Sequence, residues 1–230
     1  MGQASWPARV LQNPLFGDNR RMSDSPTPRP EPRWPAMMAI LSVGGLYWAL
    51  PEALSPGPGW LALAVVAPLS IVGMALHRRS KFALNQIVGY TMLSIITAAM
   101  ISALVLLIAA LPDRKEAPRD LLRSAGALWI SNILVFASWY WRLDAGGPNQ
   151  RELRGEHTEG AFLFPQMTLG DREWMPGFVD YLFLAFNTST AFSPTDVPVL
   201  SRWAKGMMMV QSTISLTTLA LLAARAVNIL

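Results

Sequence analysis

The chain alternates between polar stretches and long apolar runs. Residues 1–33 have no apolar period and are rich in Pro, Arg, Ser and Asp, as in SDSPTPRPEPR at 23–33. Such a stretch cannot bury enough surface to offset the cost of ordering, which predicts a disordered tail. Apolar runs then cover 34–50, 60–76, 82–111, 125–141, 178–192 and 203–229, with a polar loop over 142–177. The runs are apolar all round, without the one-sided stripe of a soluble helix. About 20 apolar residues cross a hydrocarbon core of roughly 30 Å. The pattern therefore predicts an all-α, polytopic transmembrane helical bundle over 34–230. It has five full spans plus one short helix, 178–192, that either spans or re-enters.

Breaks between the runs fix the expected orientation. The Pro/Gly turn at 55–59 is uncharged, HRRSK at 77–81 is basic, and DRKEAPRDLLR at 113–123 carries both signs. With the N-terminus in the cytoplasm and six crossings, the tail, the HRRSK turn and the 142–177 loop lie inside. The 55–59 turn, the 113–123 stretch and the Arg202/Lys205 pair lie outside. This puts the greater share of Lys and Arg inside, as the positive-inside rule requires. If 178–192 re-enters, the C-terminus moves to the other side. Trp34, Trp60, Trp139, Tyr140, Trp141 and Trp203 fall at predicted helix ends and read as anchors at headgroup level.

Composition agrees with this reading. The 230 residues are 52% hydrophobic and only 15% charged, against roughly 25% charged in soluble domains, and the mean hydropathy is +0.30. The pI near 9.8 comes mostly from residues flanking apolar runs, so it reflects topology, and no nucleic-acid partner is expected. With no cysteine, disulfides and thiolate metal sites are excluded. The tail has no apolar segment of a signal peptide. Arg20-Arg21 is followed by MSDSP, and Trp6 breaks the myristoylation pattern. Met22 offers an alternative start, and the tail is expected to be dispensable.

No set of residues specifies a reaction. The two histidines, His77 and His157, lack partners at metal-ligand spacing. Neither an enzyme, a metal nor a cofactor is expected. The charge-dense run 151–159 reads as a solvated face. Polar residues inside the runs are more informative, because they are costly in a bilayer. These are Asn132 with Ser131 and Ser138; Tyr90, Ser94 and Thr97; and Gln211, Ser215, Thr218 and Arg225 along one face of the last helix. Such groups usually join helices, at about 0.6 kcal/mol each, and Arg225 can snorkel to the interface. The consecutive Met207, Met208 and Met209 read as soft packing. A short apolar helix, a Ser/Thr-rich turn and a full-length helix then make the arrangement of a pore hairpin. Asn187, Thr188, Ser189, Thr190, Ser193, Thr195 and Asp196 would supply its hydroxyls, carbonyls and one carboxylate.

TSTAFSPTDVP, at 188–198, stands where the helix–filter–helix module of potassium channels carries its filter, and the hairpin resembles that module. It departs from the module at Ala191 and Ser193, where filter glycines belong, and in Asp196, two residues late. The strings NILVFASWYWRLDAGGP, FLFPQ, DYLFLAFNTSTAFSPTD and ARAVNIL resemble an uncharacterised family of bacterial integral membrane proteins. That resemblance implies a bacterial inner (plasma) membrane location and a multi-helix bundle, and brings no established activity. Two functions follow as expectations. One is a channel-like protein passing a small cation or solute through an oligomeric pore lined by 187–196. The other is a non-conducting scaffold that docks an unidentified protein through 142–177, where Phe162-Leu163-Phe164-Pro165 and Trp174-Met175-Pro176 supply apolar contacts. The bilayer, and for the pore a homo-oligomer, are the partners implied.

Overall fold

A computed structural model describes residues 31–48, 50–55, 57–110, 118–154, 157, 159–169, 174–190 and 197–227. The predicted tail lies outside these residues except for its last three. There the expectation changes: Glu31 and Arg33 are packed against the bundle through Glu152, Asn149 and Arg151.

Among the described residues the regular structure is helical, apart from one isolated bridge between Phe162 and Val199. The helices are α1 (Trp34–Trp48), α2 (Trp60–Arg78), α3 (Phe82–Ala109), α4 (Pro118–Leu143), α5 (Pro148–Arg154), α6 (Pro165–Thr168), α7 (Phe178–Thr190) and α8 (Arg202–Val227). Four helical runs are long and apolar enough to cross a membrane: Trp60–Arg78, Phe82–Ala109, Arg119–Arg154 and Arg202–Ala224. At 1.5 Å per residue, the 15 residues of α1 extend about 22 Å, and the 13 of α7 about 20 Å.

Helix α4 is the hub, touching α1, α3, α7 and α8, while α2 sits outside against α1 and α3. Its burial follows from its sequence. Ala125, Leu128, Asn132, Val135, Phe136 and Tyr140 face inward, and small residues such as Ser131, Ala137 and Ser138 let neighbours approach closely. Helices α2 and α8 instead turn Ile71, Val72, Met209, Val210 and Leu216 outward. An apolar exterior around a partly polar interior is the inverse of a soluble fold and suits lipid. Trp34, Trp60 and Trp203 remain exposed at helix ends, as an interfacial belt requires. Tyr140 and Trp141 do not: both are buried and hydrogen-bonded through the hydroxyl and indole N–H. A polar tip can be satisfied inside protein as well as at a headgroup.

The ends of the helices define a cap. The start of α1, the end of α2, the starts of α3 and α7 and the end of α4 share one end of the bundle. There Arg33 meets Asn149, and Trp141 packs edge-on against Phe178. Against α4, α7 runs antiparallel: Asp144 pairs with Tyr181, and deeper in, Asn132 pairs with Ser189. Against α4, α8 is antiparallel too, with Trp203 near Phe162 at the cap, then Gln211 against Tyr140 and Ser215 against Trp129. Helices α7 and α8 are therefore parallel to each other. Thr190 ends α7 about halfway along α4, yet by Val199 the chain is back at the cap, bridged to Phe162. Helix α7 enters the bundle and does not cross it. The Arg202/Lys205 pair, expected opposite the 142–177 loop when six crossings are assumed, lies on the same side as that loop.

Candidate functional site

Sequence reasoning pointed at the inner end of α7 and the polar face of α8, and these residues do meet. The amide nitrogen Nε2 of Gln211 donates to the Ala185 carbonyl at 2.7 Å and to Ser189 Oγ at 2.9 Å. Its Oε1 accepts from the Tyr140 hydroxyl at 2.5 Å. Asn132 Nδ2 donates to the Gln211 carbonyl at 3.2 Å and to Ser189 Oγ at 3.4 Å. Ser215 Oγ donates to the Ser189 carbonyl at 2.5 Å and accepts from Trp129 Nε1 at 3.0 Å. All but Trp129 are buried. This knot joins α4, α7 and α8 in one register. Any slip along a helix strands several buried polar groups at once, each costing about 1–3 kcal/mol.

The candidates divide between this knot and other places. Thr188 and Thr218 are buried, and each returns its hydroxyl to a carbonyl four residues earlier, Leu184 and Ile214. Thr190 caps the carbonyl of Asn187 at 3.1 Å, and both sit partly exposed at the inner tip of α7. Ser193, Thr195, Asp196 and the Arg225 side chain lie outside the described residues. In α3, Thr97 accepts from Trp139 Nε1 at 2.9 Å, Tyr90 stacks on the Trp139 ring, and Ser94 faces outward. Of the three hydroxyls in this helix, Tyr90 and Thr97 thus meet Trp139 and Ser94 stands apart.

A second cluster, in the cap, was not foreseen. Asp144 is fully buried. Its carboxylate accepts from the Ala161 backbone N–H at 2.5 Å and from the Tyr181 hydroxyl at 2.6 Å, and His157 Nε2 stands 3.5 Å away. Arg151 is 1% exposed. It donates to the carbonyls of Trp141 and Asp144 at 2.9 and 3.0 Å and to Glu31 at 3.3 Å, and lies over the Tyr181 ring. Glu31 accepts from Trp141 Nε1. Burial holds its carboxyl above the ordinary range, with Arg151 pulling it back. Burial likewise pushes the His157 imidazole down, against the opposing pull of Asp144. The run 151–159 is thus no uniform solvated face: Arg154 and Glu159 are exposed, whereas Arg151 and His157 are interior.

Local backbone chemistry builds this cap. After Leu143 a 3₁₀ turn at Asp144–Gly146 reverses the chain, with Ala145, Gly146 and Gly147 all at positive φ. Gly147 has φ 89°, and a Cβ there would sit 2.7 Å from the Arg142 carbonyl oxygen, so only glycine fits. The turn leaves Asp144 pointing into the bundle. Phe162 and Phe164, expected in a docking patch, are buried among Tyr140, Tyr181 and Trp174, so this part of the loop plugs the bundle end. The only hint in the sequence was the carboxylate of Asp144, set beside an apolar run ahead of a Gly-Gly turn. Its partners Tyr181 and Ala161 are too distant in sequence to be read from spacing.

No protein-family description, curated protein or solved structure matches the chain.

Proposed function

We propose that the protein is a channel-like component of a bacterial inner membrane. In this reading α1, α2, α3, α4 and α8 cross the bilayer, α7 re-enters from the cap side, and copies assemble around an axis. The turn 187–196 then lines a path for a small cation or solute. One observation carries the reading: α7 stops at mid-depth and α8 restarts from the same side, parallel to it. Irregular backbone at membrane depth is tolerated only where protein buries it or water fills a cavity. A half-length helix followed by a return and a full helix is also the order of the pore module that the sequence resembles. Thr188 and Ser189 support it differently than expected, since they fasten α7 in place and leave Asn187 and Thr190 at its tip.

Basic residues favour a cytoplasmic cap. Arg78, Arg79 and Lys81 at the α2–α3 turn, Arg154 beyond α4, and Arg202 and Lys205 at the start of α8 all lie there, which strengthens the positive-inside argument. The second reading, a non-conducting scaffold, draws on Leu153, Leu169 and Leu200, which the cap exposes as partner contacts would be.

Flux and labelling test the proposal together. Single cysteines are convenient in a chain that has none. Cysteines at 153 and 200 are expected to label from one face of the membrane and one at 230 from the other. Reconstituted protein is expected to pass a small cation, with Thr190→Ala or Asp196→Asn altering the flux. Labelling of 153 and 200 from opposite faces rejects re-entry, and absence of flux for any common cation or small solute rejects conduction.

A further inference from the structure

A cavity of about 270 Å³ opens between α1, α2, α3 and α4 on the cap side, away from the α7–α8 hairpin. Its two ends differ in chemistry. Arg33, His77, Asn149 and Arg142 line the cap end, at the start of α1, the end of α2 and the α4–α5 corner. Ile40, Leu69 and Met92 line the other end, each seven or eight residues further into its helix, or about 10–12 Å deeper. A slot that is cationic at headgroup level and apolar below it has the polarity of a lipid.

Charge balance at the mouth points the same way. Arg33 and Arg151 are met by Glu152 and Glu31, at 2.8 and 3.3 Å. Arg142 has no carboxylate and no hydrogen-bond acceptor among the described residues. Its guanidinium lies over the Trp141 ring at 5.6 Å and is pressed into the notch left by Gly89, where a Cβ would fall 2.0 Å from its Cζ. Arg33 also keeps Nε without a hydrogen-bond partner, and its Nη1 reaches Glu31 only at 4.0 Å. Half-burying a guanidinium without an anion is costly, and a paired, hydrogen-bonded anion offsets that cost. Beside the mouth, exposed Arg78, Arg79 and Lys81 raise the local positive potential. Basic pockets between membrane helices at the leaflet surface suit anionic headgroups.

We propose that this cavity binds an anionic phospholipid of the surrounding leaflet. The phosphate pairs with Arg142 and with Arg33 Nε, and the upper part of one acyl chain enters the slot between Ile40, Leu69 and Met92. The site is independent of the hairpin and of conduction, since it lies on the opposite side of α4.

Native mass spectrometry of the whole protein, titrated with phosphatidylglycerol or phosphatidylcholine in neutral detergent, tests this. Phosphatidylglycerol is expected to bind at least about fivefold more tightly, the increment of one basic residue near a headgroup. Arg142→Gln is expected to erase that preference and Arg142→Lys to keep most of it. Val88→Phe, which narrows the slot, is expected to weaken both lipids. Equal binding of the two lipids to the unmodified protein overturns the proposal, and needs no variant to fold. Full displacement of phosphatidylglycerol by inorganic phosphate overturns it too, since the ligand would then be a soluble anion. Persistence of the preference in a helical, monodisperse Arg142→Gln protein would equally remove Arg142 from the site.

Discussion

The two sides of α4 are built on different terms. Toward α7 and α8, buried amides and hydroxyls on Asn132, Tyr140, Ser189, Gln211 and Ser215 hold the helices in one register. Toward α1, α2 and α3 the contacts are mostly apolar, with few cross-helix hydrogen bonds. The Asn85 amide reaches the Gly73 carbonyl at 2.6 Å, Trp139 reaches Thr97, and Ser70 lies 3.7 Å from the Met92 sulfur. That side also leaves a cavity. Lipid tails are as apolar as leucine, so apolar side chains alone give membrane helices little register. Polar knots supply it on one side, and where they are sparse, room remains for a ligand.

The cap closes both sides, and breaking it is expected to have the largest effect. Arg151→Ala removes the cation nearest Glu31 and a donor to the Trp141 and Asp144 carbonyls. Loss of one partner from a buried ion pair costs about 3–5 kcal/mol, so denaturant titration in detergent should show a large destabilisation. The knot comes next. Gln211→Leu leaves the Tyr140 hydroxyl without its acceptor and should cost about 2 kcal/mol. In the roomy half, Ser70→Ala should cost less than about 0.5 kcal/mol, because a hydroxyl–thioether contact is weak. Equal effects from these two substitutions would erase the contrast between the sides.

Smaller changes sharpen the picture of the cap. Ala145 sits at φ 51°, a conformation that costs a side-chain-bearing residue about 1 kcal/mol. Ala145→Gly should therefore stabilise the protein by up to that amount in the same titration, and a loss of stability would show that the Ala145 methyl group packs usefully. The mildest effect is a slope with pH. His157 is held below its ordinary value of 6.5 by burial, so the unfolded cap binds the proton first. The contribution of His157 is fully present above pH 6.5 and is lost as the pH falls below it. Protease sensitivity of the 142–177 loop should rise on acidification through that window and flatten in His157→Phe. Glu31, raised by burial, acts in the opposite sense: its contribution is present below 4.5 and fades as the pH climbs through its folded value. Comparing Glu31→Gln with His157→Phe separates the two.

Apolar runs long enough to span were legible in the sequence, as were the membrane solvent they imply and the small set of intramembrane polar residues. Their physical cost in lipid is local and does not depend on which neighbour satisfies them. Gln211, Ser215 and Asn132 could thus be picked out one by one, although nothing in their spacing showed that Tyr140 and Ser189 complete the knot. The aromatic triplet at 139–141 looked interfacial because it follows an apolar run, yet the chain folds back over it through the Asp144–Gly146 turn.

What the sequence alone determined is the class of solvent around the helices and the half-length of the 178–192 run, because both depend only on residues adjacent in the chain. Tertiary structure decided the rest. The direction of α7 is set by partners far away in sequence, Asp144 at one end and Asn132 and Gln211 at the other. Burial of Arg151 and His157 depends on residues as far apart in sequence as Glu31, Asp144, Phe164, Trp174 and Tyr181. The uncompensated charge of Arg142 becomes visible only once Glu31 and Glu152 are seen to be paired with Arg151 and Arg33.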